Sequence, residues 1–215
     1  MGQTPIYQLP YPELTDPADV PTDMRELAER TETVFSGLGA GDLTRIADVV
    51  LAADAASIDF QNIPQTFAHL MLVIHARTTT AGASDGVTGR FNADASGSYF
   101  STAVRSAGTT PSVVTALSAT GLILALVPAA AAAAGADVFG GAVVMIPNYA
   151  NATLDKNVFC YGGAVTFGTA ADMFTEVNTG MWYKPAAITR LTLTSTNGGQ
   201  LRARSHGTLY GLRGV

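Results

Sequence analysis

From residue 43 onward, apolar side chains recur at every second position; before it they do not. The segment HLMLVIHAR (69–77) sets Leu70, Leu72 and Ile74 on one face and His69, Met71, Val73 and His75 on the other, the period of a β-strand. Both faces carry apolar residues, which predicts a strand covered on both sides. Further period-two segments are 44–53, 57–60, 89–92, 99–105, 121–127, 142–146, 157–167, 187–194, 200–204 and 208–212. Turn chemistry separates them at Ser84-Asp85-Gly86, at 93–97 and at Thr196-Asn197-Gly198-Gly199, the last predicting a hairpin into the C-terminal strand. Many short strands without alternating helices predict a mainly β fold, an antiparallel β-sandwich of jelly-roll-like kind over 40–215.

The first 38 residues follow other rules. Pro5, Pro10, Pro12, Pro17 and Pro21 make 1–21 an extended arm, because proline fixes φ and removes a donor. Tyr7, Leu9 and Tyr11 alternate along it and cannot be buried on the arm itself, which predicts docking into a partner's groove. A helix is predicted over 22–38, with Asp19 or Thr22 as cap, Asp23 and Glu26 at its positive end, and Gly37 and Gly39 as stops. Met24, Leu27, Thr31 and Val34 form a stripe of about two heptads. It fits a helix packed on its own β domain or a short bundle, most simply a trimer.

Charge divides the chain at the same place. The net charge is −5. Residues 1–38 carry Glu13, Asp16, Asp19, Asp23, Glu26, Glu29 and Glu32 against Arg25 and Arg30, so the rest is neutral. An acidic leader on a neutral body points to two modules with different tasks and speaks against nucleic-acid binding, which needs a basic face. Only 13% of residues are charged and 47% are hydrophobic, which predicts a surface partly covered by neighbouring subunits. The most apolar run, GLILALVPAAAAAA (121–134), is shorter than the roughly 20 residues of a spanning helix and is broken by Pro128. No membrane span is expected. The single cysteine, Cys160, excludes an intrachain disulfide and fits a small buried hydrophobe.

Site chemistry is sparse. The three histidines are His69, His75 and His206, and the chain has no G-x-S-x-G elbow, phosphate loop or dinucleotide fingerprint. His69 and His75 lie about 20 Å apart on an extended strand and cannot share one metal. Asn92, Asp94 and Ser96 alternate before Gly97, an incomplete echo of a calcium loop without its distal Glu. No catalytic residue, metal or cofactor is predicted. Candidate receptor contacts are Asp85, Asn148, Tyr149, Trp182 and Tyr183, on polar tips or beside the only tryptophan. The competing reading of Trp182 is a plug in the core where a strand begins.

Four blocks resemble virion proteins of tailed bacteriophages, of the tail fibre, minor tail or head fibre type. TPIYQLPYPELTDPADVPTDMRELAER (4–30) is similar to their LPYPE…DP.DVP leader. SIDFQNIPQTFAHLMLVIHAR (57–77), GRFNADASGSYFS (89–101) and GMWYKPAAITRLTLTSTNGGQLRARSHGTLYGL (180–212) follow in the family's order. The last block departs from the family: Arg202, Ala203 and Arg204 precede Ser205 where relatives carry an aromatic residue and a glycine. The resemblance implies a non-enzymatic structural protein of the virion with a β-sandwich head, often a homotrimer, attached by its N-terminal end. Tyr7, Leu9, Pro10, Tyr11 and Pro12 are the expected anchor, and Met24, Leu27, Thr31 and Val34 the expected oligomerisation residues. Expected partners are other copies, other virion proteins and a host surface glycan or protein. Two alternatives are a head fibre or capsid decoration protein and a lectin-like glycan-binding module.

Overall fold

The computed structural model describes residues 2–3, 10–11, 20–39, 43–132, 135–166 and 173–214. The chain forms two compact units, Met1–Thr44 and Arg45–Val215.

In the first unit, β1 (Gly2–Gln3) pairs antiparallel with β2 (Pro10–Tyr11), so two short parts of the arm pair with each other. Tyr7, Leu9 and Pro12 lie outside the described residues, as do the side chains of Pro10 and Tyr11. Helix α1 (Val20–Gly39) starts two residues earlier than predicted, because a proline in the first turn needs no intrahelical donor. Its Arg25–Glu29 pair forms at 3.9 Å. Met24 and Leu27 are exposed and Thr31 is half-buried; the Val34 side chain lies outside the described set.

The second unit is an antiparallel β-sandwich. Its large sheet contains β3 (Leu43–Val50), β5 (His69–Ala76), β7 (Tyr99–Ala107), β8 (Thr110–Ala119), β10 (Gly140–Pro147), β11 (Lys156–Val165), β12 (Met173–Trp182) and β14 (His206–Leu212), in the order β3-β14-β5-β10-β11-β12-β7-β8. Its small sheet contains β4 (Ser57–Phe60), β6 (Ser84–Phe91), β9 (Leu122–Pro128) and β13 (Leu191–Ser195), in the order β4-β13-β6-β9. Between them lie Leu70, Leu72, Ile74, Val144, Ile146, Val158 and Leu209 from the large sheet, against Ile58, Phe60, Val87, Phe91, Leu122, Leu124, Leu191 and Leu193 from the small one. Burying a side chain of this size stabilises by about 1.5–3 kcal/mol, and this layer holds the head together.

Several expectations are corrected. β5 is covered on one face only: Leu70, Leu72 and Ile74 are buried, whereas Val73 and His75 are exposed. The small sheet supplies one cover, and among the described residues of this unit none covers the other side. Ser84-Asp85-Gly86 opens β6 and is not a turn; Gly86 is needed because a Cβ there would lie 2.5 Å from Thr196 Oγ1. The 196–199 turn makes no hairpin: β13 joins the small sheet and β14 the large one. Of the predicted strand 200–204, only Leu201 makes bridges, to Ala55 and Thr78. Arg204 occupies a left-handed conformation, φ 72°, a region that favours glycine. β8 and β12 were not anticipated from the sequence.

The loop after β9 is tied by Arg77, whose buried guanidinium donates to the carbonyls of Ala129, Gly135 and Val138 at 2.8–3.0 Å. Its desolvation pulls the guanidinium pKa down.

Candidate interaction face

The large sheet is twice as wide as the small one in strands, so part of it has no cover. β9 packs across β10, β11 and β12, and β8 projects beyond with both faces exposed along most of its length. The opposite face, turned away from the small sheet, is left uncovered by the described residues of this unit.

Strand register determines what that bare face carries. Val73 lies opposite Val143, Val143 opposite Tyr161, Tyr161 opposite Val177, Val177 opposite Val104 and Val104 opposite Val113. One apolar row therefore crosses six strands, with exposures between 36% at Val73 and 70% at Val113. A second row, Met71, Met145, Phe159, Thr179, Thr102 and Thr115, runs beside it in the same register. No Asp, Glu, Lys or Arg occupies an outward position of β5, β10, β11, β12, β7 or β8.

β12 shows the cause of this distribution. Its inward positions include Glu176 and Asn178, both buried, while Val177 points out. Glu176 is held by Arg105 of β7, with Nη2 at 2.6 Å from Oε2. Asn178 Nδ2 donates to the Ile123 carbonyl at 2.6 Å, and its buried Oδ1 has no partner. Beside them, Cys160 is buried and its thiol is pushed up to about 12, by desolvation first and the Glu176 charge second. A thiol held neutral in this way is inert.

At one end the face sinks into an open groove of about 350 Å³ lined by Phe100, Thr102, Thr115, Asn157, Thr179 and Met181 among others. Tyr183 stands beside it, exposed and edge-on to Phe100 with ring centroids 6.4 Å apart. Thr102 and Thr115 are within hydrogen-bond distance of each other at 3.3 Å.

The structure separates the five candidate receptor contacts. Trp182 is in the core, stacked with Tyr99 and tilted against Phe91 at centroid distances of 6.3 and 5.6 Å. Its Nε1–H donates to Asp94 Oδ2 at 2.7 Å. Asp94 Oδ1 accepts from the Ser96 amide and hydroxyl at 2.9 and 2.6 Å. Burial works to raise this carboxyl, but the bonds from Ser96 and Trp182, with Lys184 nearby, outweigh it and hold the pKa at about 2. The 92–97 segment is thus a brace for Trp182. Among the described residues, no group of three or more His, Cys, Asp or Glu is placed to hold a metal. Asp85 is buried and accepts from Thr80, Ser195, Asn197 and the Gly86 amide. Tyr149 is buried, with its hydroxyl donating to the Pro64 carbonyl. Burial removes these three from contact with any receptor. Asn148 and Tyr183 remain exposed. Sequence reading missed the Val104–Val177 row; alternation in 173–182 was its one signal.

No protein-family model matches the chain, and no curated protein matches it. Among solved structures it is similar to the CBM40 domain of a Ruminococcus gnavus IT-sialidase. The form bound to α2,3-sialyllactose gives a TM-score of 0.27 at 9% identity, covering 77% of this chain and 91% of that one. The form bound to α2,6-sialyllactose gives 0.28 at 10% identity, with 77% and 92% covered. At TM-scores of this size the likeness carries no argument about this chain.

Proposed function

We propose that the chain is a structural component of a tailed-phage virion, anchored by its N-terminal arm, that works by packing rather than by catalysis. One observation carries this reading: a face six strands wide without a charged side chain. Contiguous apolar patches of this extent on a folded protein mark a surface that another molecule covers. The blocks that resemble virion proteins supply packing positions rather than reactive groups. Ile58, Leu72, Phe91, Tyr99, Trp182, Leu193 and Leu209 from these blocks are all buried. Gly211 of the last block makes room for Phe67 of an earlier one, whose ring would lie 2.3 Å from an added Cβ.

Electron microscopy of virions labelled with antibody against residues 40–215 tests the reading. Label at the tail tip supports a fibre or minor tail role, and label over the head supports a head fibre or decoration role. Absence of label on virions with an accessible epitope overturns both. Deleting residues 1–21 is expected to abolish incorporation while the head stays folded.

A second reading, neutral glycan binding, is favoured by the groove, where Phe100 and Tyr183 give an aromatic edge beside the side chains of Thr102, Thr115, Thr179 and Asn157. Aromatic area with hydroxyl and amide partners is the chemistry of sugar recognition. Glycan-array binding that Tyr183→Ala abolishes would establish it; a blank array removes it.

A further inference from the structure

The outward face of the large sheet extends beyond the groove, and its makeup bears on what covers it. We propose that this face is the surface on which another copy of this chain packs, sheet against sheet. The inference deepens the structural reading above by naming the partner.

Three features support it. First, β12 is inverted relative to the sandwich: Glu176 and Asn178 point into the chain's own core, and Val177 and Thr179 point away. A strand gains most where its apolar side is buried, so the outward side is the one shaped for lasting contact. Second, the six strands from β5 to β8 span about 24 Å at ~4.8 Å spacing, and the outward positions from Thr175 to Met181 span about 20 Å. That is on the order of 500 Å² before side-chain relief is counted, more than half of the ~800 Å² per partner of a standard stable interface. Third, the face carries no Asp, Glu, Lys or Arg. It has no counter-charge for a polyanion or an acidic sugar. A partner must bring no unpaired charge into contact with it, because burying one costs several kcal/mol. The same face of a second copy meets that demand, with valines and aromatic rings to interdigitate and threonine hydroxyls that already pair with one another. Stacked sheets of this kind pack about 10 Å apart.

The test is light scattering on the full-length chain at micromolar concentration, beside the double variant Val104→Glu/Val177→Glu. Both residues are more than half or about half exposed, so the variant is expected to keep its far-UV circular dichroism. The wild type is expected at a multiple of the monomer mass and the variant at the monomer mass. A monomeric wild type overturns the proposal, as does a variant that keeps the wild-type mass. If the double variant fails to fold, Val177→Cys provides the test, since buried Cys160 stays silent to maleimide. The new thiol is expected to react at least tenfold slower in concentrated than in diluted protein; equal rates overturn the proposal. A monomer that instead binds a glycan through this face also overturns it. Failure of the virion reading looks different: unlabelled virions beside an intact oligomer. The reverse outcome, a monomeric wild type beside labelled virions, rejects this interface and leaves the virion role standing.

Discussion

In β5, Leu70, Leu72 and Ile74 point into the sandwich and the histidines point out. In β12, three strands along in the same sheet, Glu176 and Asn178 point in and Val177 points out. Both strands are fully paired on both sides, so backbone hydrogen bonding does not distinguish them. What differs is what lies opposite. β5 faces a packed apolar layer, where a charge would stand unpaired. β12 faces Arg105 and the Ile123 carbonyl, so the Glu176 carboxylate and the Asn178 Nδ2 have partners there, although Asn178 Oδ1 has none among the described residues. One sheet can thus place its apolar side inward at one end and outward at the other, provided the inward charge is paired.

The largest expected difference between the strands is in stability. Leu72→Ala removes a fully buried side chain from β5 and is expected to cost about 2–5 kcal/mol in urea denaturation. A loss below 1 kcal/mol would mean that β5 is not the centre of the core. Next comes Glu176→Ala, which leaves Arg105 without its partner. Because the Arg105 side chain is 22% exposed, the cost is expected at about 2–3 kcal/mol, between a surface pair and a fully buried one. Adding Arg105→Leu is expected to recover part of it; no recovery would mean that the pair is not what β12 relies on.

Acid sharpens the contrast at the end of β12. Asp94 and Asp59 are both held at about 2, the former against burial by Ser96 and Trp182, the latter chiefly by Arg190. Their folded pKa values lie below the ordinary ~3.9 of an unfolded chain. The stability they contribute is therefore complete above about pH 4 and is lost as pH falls through about 2. Emission from Trp182, the only tryptophan, is expected to shift to the red over that window, and Asp94→Asn is expected to flatten the shift. Constant emission down to pH 2 would remove Asp94 from this role. The smallest effect belongs to Val177→Ala, expected to change the stability of the dilute chain by less than about 0.5 kcal/mol. A loss as large as that of Leu72→Ala would erase the contrast between the two strands.

The same contrast explains what the sequence disclosed. The antiparallel β-sandwich was legible because β5, β10 and β11 alternate with aliphatic residues inward. β12 was not, because Glu176 and Asn178 sit where alternation calls for apolar residues, and their partners are distant in sequence. β8 was hidden because Thr110–Ala119 has no solvent side and core side to alternate between. Turn residues at 196–199 announce a reversal but do not tell a hairpin from a crossing between sheets. Polarity put Asp85 and Tyr149 on exposed tips. Both are buried by contacts with residues far along the chain, Ser195 and Asn197 for one and Pro64 for the other. The brace on Trp182 was half legible: the 92–97 segment stood out for its spacing, but its purpose needed the fold.

The placement of β14 has a consequence for biosynthesis. This strand, the last of its sheet in chain order, fills the slot between β3 and β5, the first two. Until residues 206–212 have left the ribosome, β3 lacks its β14 neighbour and β5 keeps one edge open. The head therefore closes only once nearly all of it has been synthesised, a late, long-range step of the kind that makes folding slow. A nascent chain stalled before Leu209 would expose β5 to its neighbours, and the cell's chaperones would meet this protein at that strand.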